Sequence, residues 1–268
     1  MKERAGFEAR GNFSAASRAG GFTFTELLVV ISLGAILVGT ILPALNTAQD
    51  TMKAAVCLGN MHQWGVAISL YTADQRDYYP YDGNPSGSIC DTPNTGAWYN
   101  VLPPYIKQPK LCDLYTAGTP PTPGTKSIWV CPSATNINVS LSLASPNFMY
   151  AISACLHEQG FTHVGFRRSR MAKPATTIVF CEEQEDNFPE TTGQYAIVQR
   201  HFGGSHFVMG DGHAEWIAFQ NYCRLGNPGC SGFNGNVAWN SSGSGLGDWN
   251  PQITYHWWFF PGASTSQN

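Results

Sequence analysis

Five side chains able to hold a metal or move a proton fall within fifteen residues: His201, His206, Asp211, His213 and Glu215. Imidazole nitrogens beside carboxylate oxygens are the donor set of zinc and other transition metals, and the same pair serves general acid–base chemistry. The spacing tempers this. Asp211-Gly212 reads as a two-residue turn between strands His206–Gly210 and His213–Phe219, so His206 and His213 project from paired strands while Asp211 accepts hydrogen bonds from turn amides. Structural hydrogen bonding is the expected role of this group. The alternative is metal ligation, or a metal-dependent hydrolase built on His201, Asp211 and His213, which requires those side chains to converge.

Other chemistry is sparse. Glu182, Glu183, Glu185 and Asp186 form a carboxylate run of the kind expected in a solvated loop. The chain has no G-x-S-x-G elbow, no Walker loop and no dinucleotide fingerprint, and no Ser or Cys has a recognisable paired His and acid. No enzyme is expected. The eight Cys include no C-x-x-C pair, which excludes a zinc ribbon.

Elements must position these groups, and composition bounds which ones. Of 268 residues 43% are hydrophobic and 12% charged, so the chain has the apolar content to fold. The net charge of −3 offers no basic field for a phosphate backbone, and nucleic acid is not an expected partner. Twenty-eight Gly and 17 Pro point to a loop-rich, strand-containing body, with eight Trp to fill its core.

The N-terminus carries the strongest pattern. Residues 1 to 21 are polar, contain Lys2, Arg4, Arg10 and Arg18 against Glu3 and Glu8, and end in Gly20-Gly21. An apolar run follows through Leu42, about 20 residues long when Phe22 to Phe24 are included, the length that spans a bilayer. The small residues precede the run, so a cut there retains it on the mature protein. Glu26 lies inside it, where a lone carboxylate facing lipid costs roughly 2.5–3.5 kcal/mol. It needs a partner, and the new α-amino group of a neighbouring subunit would serve. Beyond Pro43, apolar residues at spacings of three and four (Ile41, Leu45, Ala48, Met52, then Cys57, Met61, Trp64, Ile68, Tyr71) predict one helix from about Phe22 to Tyr71.

The segment GFTFTELLVVISLGAILVGTILPAL resembles the class III signal of type IV prepilins and type II secretion pseudopilins. The resemblance implies cleavage after Gly21 by prepilin peptidase, N-methylation of Phe22, subunit alignment through Glu26 and a helix kink at Pro43. The leader of 21 residues is on the long side for pilins. A second resemblance begins at His201, which is followed by nine residues and then Asp211-Gly212, the H-x(9)-D-G signature of prepilin-like proteins. CLGNMHQWGVAISLYTADQRDYYPY, KSIWVCPSA and KPATTIVFCEE are similar to further segments of that family, so the likeness covers most of residues 21 to 219. Gly59 stands where an Asn is usual, and Cys181 precedes the acidic pair.

These readings give an α+β protein with a pilin-like layout: a leader over 1–21, a transmembrane and assembly half of the helix over 22–45, an amphipathic half over 46–73, and a head over 74–268 with an antiparallel sheet. Candidate strands are Ser127–Cys131, Phe148–Ser153, Thr177–Cys181, Ile197–His201 and the two arms of the 201–219 hairpin. The implied setting is a single span in the inner membrane, the head in the periplasm or on the cell surface. Implied partners are prepilin peptidase and other pilin or pseudopilin subunits. Removing the leader's four basic and two acidic residues leaves a net charge of −5, which gives no argument for DNA uptake. The rival expectation is a tethered surface protein that captures glycans or other secreted ligands without polymerising.

An extracytoplasmic head permits disulfides. Cys223 with Cys230, enclosing RLGNPG, is the first expected pair and Cys90 with Cys112 the second; Cys57 on the helix stripe and Cys131, Cys155 and Cys181 near strands suit buried free thiols, and the sequence does not fix the connectivity. Calcium is conceivable by analogy with major pseudopilins, with Asp248 and Asn250 as candidates; no cofactor is otherwise expected. The aromatic tail over 249–262, with Trp257, Trp258, Phe259 and Phe260 in a row, is expected as a closing strand or as an exposed stacking platform.

Overall fold

The computed structural model describes residues 21–219 apart from 85, 136–139, 154–155, 157–165, 172, 187 and 192–196. The expectations for Cys155, for Cys223 with Cys230, for Asp248 and Asn250 and for the aromatic tail lie outside the described residues. The chain divides into two compact units, Met1–Thr47 and Ala48–Asn268.

Helix α1 spans Phe24–Asp74, 51 residues, with Pro43 inside it. In the first unit it is apolar on all sides and no residue is buried, so this segment is long and apolar enough to cross a membrane. Two hydroxyls in its middle return to the backbone. Ser32 donates to the Leu28 carbonyl and Thr40 to the Leu37 carbonyl, one turn back. Its start is a capping box that the T-x-x-E spacing encodes. Glu26 Oε2 accepts from the Thr23 amide and hydroxyl, both at 2.8 Å, and the Thr23 hydroxyl oxygen accepts from the Glu26 amide at 3.2 Å. Glu26 therefore finds partners within its own chain.

In the second unit α1 buries Cys57, Met61, Trp64 and Ile68, the stripe read from the spacing, whereas Met52 upstream stays exposed. The helix closes on a Schellman motif without a glycine. Arg76 adopts the left-handed conformation, and the Asp77 amide donates to the Thr72 carbonyl at 2.8 Å.

Among the described residues five strands follow: β1 Phe148–Ser153, β2 Ile178–Asp186, β3 Glu190–Thr191, β4 Gly204–Met209 and β5 Ala214–Ala218. Their order is β3-β1-β2-β4-β5. The α+β layout holds, but the sheet is mixed: β1–β2, β2–β4 and β4–β5 are antiparallel, while two-residue β3 joins β1 in parallel. The described residues of the head also form short helices α2 (Trp98–Val101) and α3 (Leu111–Thr116) and four single turns of 3-10 helix.

Three strand expectations change. Ser127–Cys131 is a series of turns, in which the Val130 amide bonds the Ser127 carbonyl and the Ala134 amide the Cys131 carbonyl. Side chains hold it there, Trp129 within the aromatic core and Cys131 by a disulfide. Ile197 and His201 contribute isolated bridges only. The hairpin loop has three residues, Gly210 to Gly212, because Val208 pairs with Ala214 and the Met209 amide bonds the His213 carbonyl. Gly212 supplies the positive φ of 96° that such a loop needs.

The core centres on Trp98, whose ring lies 4.9 Å from Phe180, 5.5 Å from Trp64 and 5.9 Å from both Trp129 and Phe148. At the sheet's other end α1 meets the hairpin loop at close range. A Cβ on Gly65 would lie 2.3 Å from the Gly212 carbonyl oxygen, and one on Gly212 would lie 2.5 Å from Ser69 Oγ. Glycine at both positions is a packing requirement.

Candidate functional site

Strand β2 does not end at Cys181. It runs on through the carboxylate run, and Glu182, Glu183 and Glu185 are buried rather than solvated. Burial of charge demands partners. Glu185 forms an ion pair with Arg200 at 2.8 Å, and Arg200 also donates to the Glu183 carbonyl.

Glu182 lies at the centre of the site. It faces α1, two residues on from Phe180, and sits beside His206 on β4 by register. Its Oε2 accepts from Ser205 Oγ at 3.2 Å and the His206 amide at 3.0 Å, with His206 Nδ1 at 3.2 Å. Its Oε1 is 3.1 Å from His201 Nε2. Burial alone would raise this carboxyl, yet the hydrogen bonds and charges of His201 and His206 outweigh it and hold the group well below the ordinary carboxylate range. The two imidazoles pack with centroids 4.5 Å apart.

Two sulfurs complete the cluster. Cys57 on α1 and Cys131, which precedes Pro132, are joined by a disulfide, as are Cys90 and Cys112. The second pair matches expectation; the first corrects it, because the helix stripe turns Cys57 into the core where the Ser127–Cys131 turns deliver Cys131. Cys181 is a buried free thiol, as expected. Cys131 Sγ lies 3.3 Å from His201 Nε2. Sγ of both cysteines, a Glu182 oxygen and a His201 nitrogen all lie within 4.8 Å of one another, and all four residues are buried.

The structure thus divides the histidine group. His201 and His206 join Glu182 at one end of the hairpin. Asp211 and His213 sit at the loop, where His213 Nδ1 contacts Asp211 Oδ1 and Nε2 lies 3.4 Å from Glu215. Asp211 accepts from the His213 amide at 3.1 Å, the turn role read from sequence. The six-residue strand β4, about 20 Å of chain, lies between His201 and the loop that carries Asp211 and His213, so these three do not assemble into one hydrolytic centre.

Sequence reasoning missed Glu182, Cys57 and Cys131 as members of a site. A signal was available for Glu182: no turn residue interrupts IVFCEEQED, so strand alternation continues into the acidic residues.

Two other features stand apart. Tyr71, Asp74, Arg76, Tyr78, Tyr79 and Tyr81 line a cleft of about 880 Å³. Asp82 and Glu190 form a carboxyl pair, and burial, aided by the hydrogen bond and charge of Asp82, pushes Glu190 up to about 9. An acid raised in the folded state keeps its proton after the unfolded chain has released it. This contribution is thus fully present below the unfolded value of 4.5 and is lost as pH rises through about 9. Glu190→Gln should flatten the decline in melting temperature between pH 5 and 9. Parallel melting curves for parent and variant across that range would contradict the assignment.

Comparison of the chain with known protein families, curated proteins and solved structures returns no match.

Proposed function

We propose that the chain is a prepilin-like subunit, cut after Gly21 and methylated on Phe22, that assembles into or docks on a type IV pilus or a type II secretion pseudopilus. One observation carries the reading. The first part of α1 is a continuous apolar helix with no residue buried by its own fold, so it requires lipid or other helices around it. The inner membrane holds it before assembly, with the head outside the cytoplasm, a setting that suits two disulfides.

The cleavage assignment has support in the local geometry. Gly21 and Phe22 precede the helix and are exposed, and a Cβ on Gly21 would meet nothing. Packing therefore places no demand for glycine at this position, which is compatible with a residue kept for recognition by the peptidase. The capping box satisfies one oxygen of Glu26 inside the chain, while Oε1 remains for the α-amino group of a neighbouring Phe22. Prepilin peptidase and further pilin-type subunits are the partners of this reading.

Gly21→Leu expressed beside a prepilin peptidase should accumulate as the full-length precursor, seen by intact mass, while the parent is recovered with N-methyl-Phe22 at its terminus. Unaltered cleavage of the variant would remove the signal assignment. The tyrosine-lined cleft favours a second reading, a tethered head that stacks sugar rings without polymerising. An intact leader on the mature parent would select it.

A further inference from the structure

We infer that Cys57, Cys131, His201 and Glu182 form a buried binding site for a zinc-class divalent metal when the two cysteines are thiols. The inference is independent of the assembly reading, since it concerns the core of the head alone.

Four observations carry it. The donor atoms converge from four separate stretches, α1, the turns before Pro132, β2 and the residue ahead of the hairpin, to within 4.8 Å of one another. The set is two sulfurs, one imidazole and one carboxylate, a composition and number suited to tetrahedral zinc. His201 Nε2 faces both Cys131 Sγ at 3.3 Å and Glu182 Oε1 at 3.1 Å. A single ring nitrogen carries at most one proton and could serve both only through one shared, weakened hydrogen bond, whereas a metal between the three atoms would engage each. Finally, the outer partners are in place. Ser205, the His206 amide and His206 Nδ1 hold Oε2, leaving Oε1 directed at the cluster.

The same sulfurs have two fates. Newly made chain carries two thiols. Transfer of two electrons and two protons to an oxidised dithiol, which becomes its reduced form, joins them as the disulfide. Loss of two protons alone, to solvent, yields two thiolates that, with neutral His201 and ionised Glu182, more than offset the divalent ion and leave the site with one net negative charge. Metal binding thus competes with oxidation for one pair of atoms.

The test uses the full chain in detergent, reduced with a phosphine under nitrogen and titrated with Co²⁺ alone as the spectroscopic probe. One Co²⁺ per chain should bind with thiolate charge-transfer absorption and tetrahedral d–d bands, and zinc should displace it. Cys57→Ser and Cys131→Ser should each lose the charge-transfer intensity in proportion, and Glu182→Gln should weaken binding about 10–100-fold. Because Glu182→Gln also removes a buried structural anion, alkylation provides a second measurement. Bound zinc should protect two thiols, mapped by mass to Cys57 and Cys131. Co²⁺ spectra unchanged in the Cys57→Ser, Cys131→Ser double variant, or equal alkylation of both cysteines with and without zinc, would overturn the site.

Discussion

Glu182→Ala should destabilise the head by about 3–5 kcal/mol, the cost of stripping a buried ionic cluster of one partner. The effect is large because one carboxylate serves four contacts. Its loss leaves His201 and His206 packed against each other with no anion between them, and deprives Ser205 Oγ and the His206 amide of their acceptor. All of these groups are buried, so water cannot replace the lost oxygen without opening the core. Thermal or urea unfolding of the full chain in detergent measures the loss. A change below about 1 kcal/mol would mean that the histidines find other partners and that the cluster is not what holds β2 to β4.

Trp98→Ala should be comparably damaging, about 3–5 kcal/mol, for a different reason. Trp98 is fully buried, and five aromatic rings, Trp64, Tyr99, Trp129, Phe148 and Phe180, lie within 5.9 Å of it. They come from α1, α2, the turns before Cys131, β1 and β2, so no single neighbour can move in to fill the void. The indole N–H also donates to the Pro189 carbonyl at 2.8 Å, next to β3. Trp98→Phe shifts the balance between the two contributions: most of the ring volume remains while the hydrogen bond goes, so the loss should be about 1 kcal/mol from the bond plus a smaller cost for the void. Equal losses in both variants would place the energy in the hydrogen bond and not in packing.

Helix α1 and the hairpin were legible because each rests on a local signal. A three-four apolar period marks Cys57, Met61, Trp64 and Ile68, and a Gly-rich loop between apolar runs marks the hairpin. The thiols of Cys57 and Cys131 were read as free because their pairing depends on where two distant segments meet, 74 residues apart. Glu182 was hidden by its chemistry. A carboxylate beside other carboxylates ordinarily faces water, and only the arrival of His201 and His206 from later in the chain makes its burial tolerable. Strand β3 was equally unreadable, since two residues carry no period and its partner lies in β1. Thr23 is the opposite case: T-x-x-E encodes the capping box, a purely local partner for Glu26 that its membrane cost alone does not reveal.

The close approach of Gly65 to Gly212 has a consequence for the spacing between His201 and Asp211. One end of β4 is anchored through His201 and His206 to Glu182, and the other through the loop to a glycine notch in α1. The intervening stretch acts as a gauge block. Removing one residue would turn every following side chain to the opposite face of the sheet. Removing two would restore the faces but draw the loop back by about 7 Å, out of the notch. A spacing of nine residues is therefore a length set by the distance between two fixed attachment points.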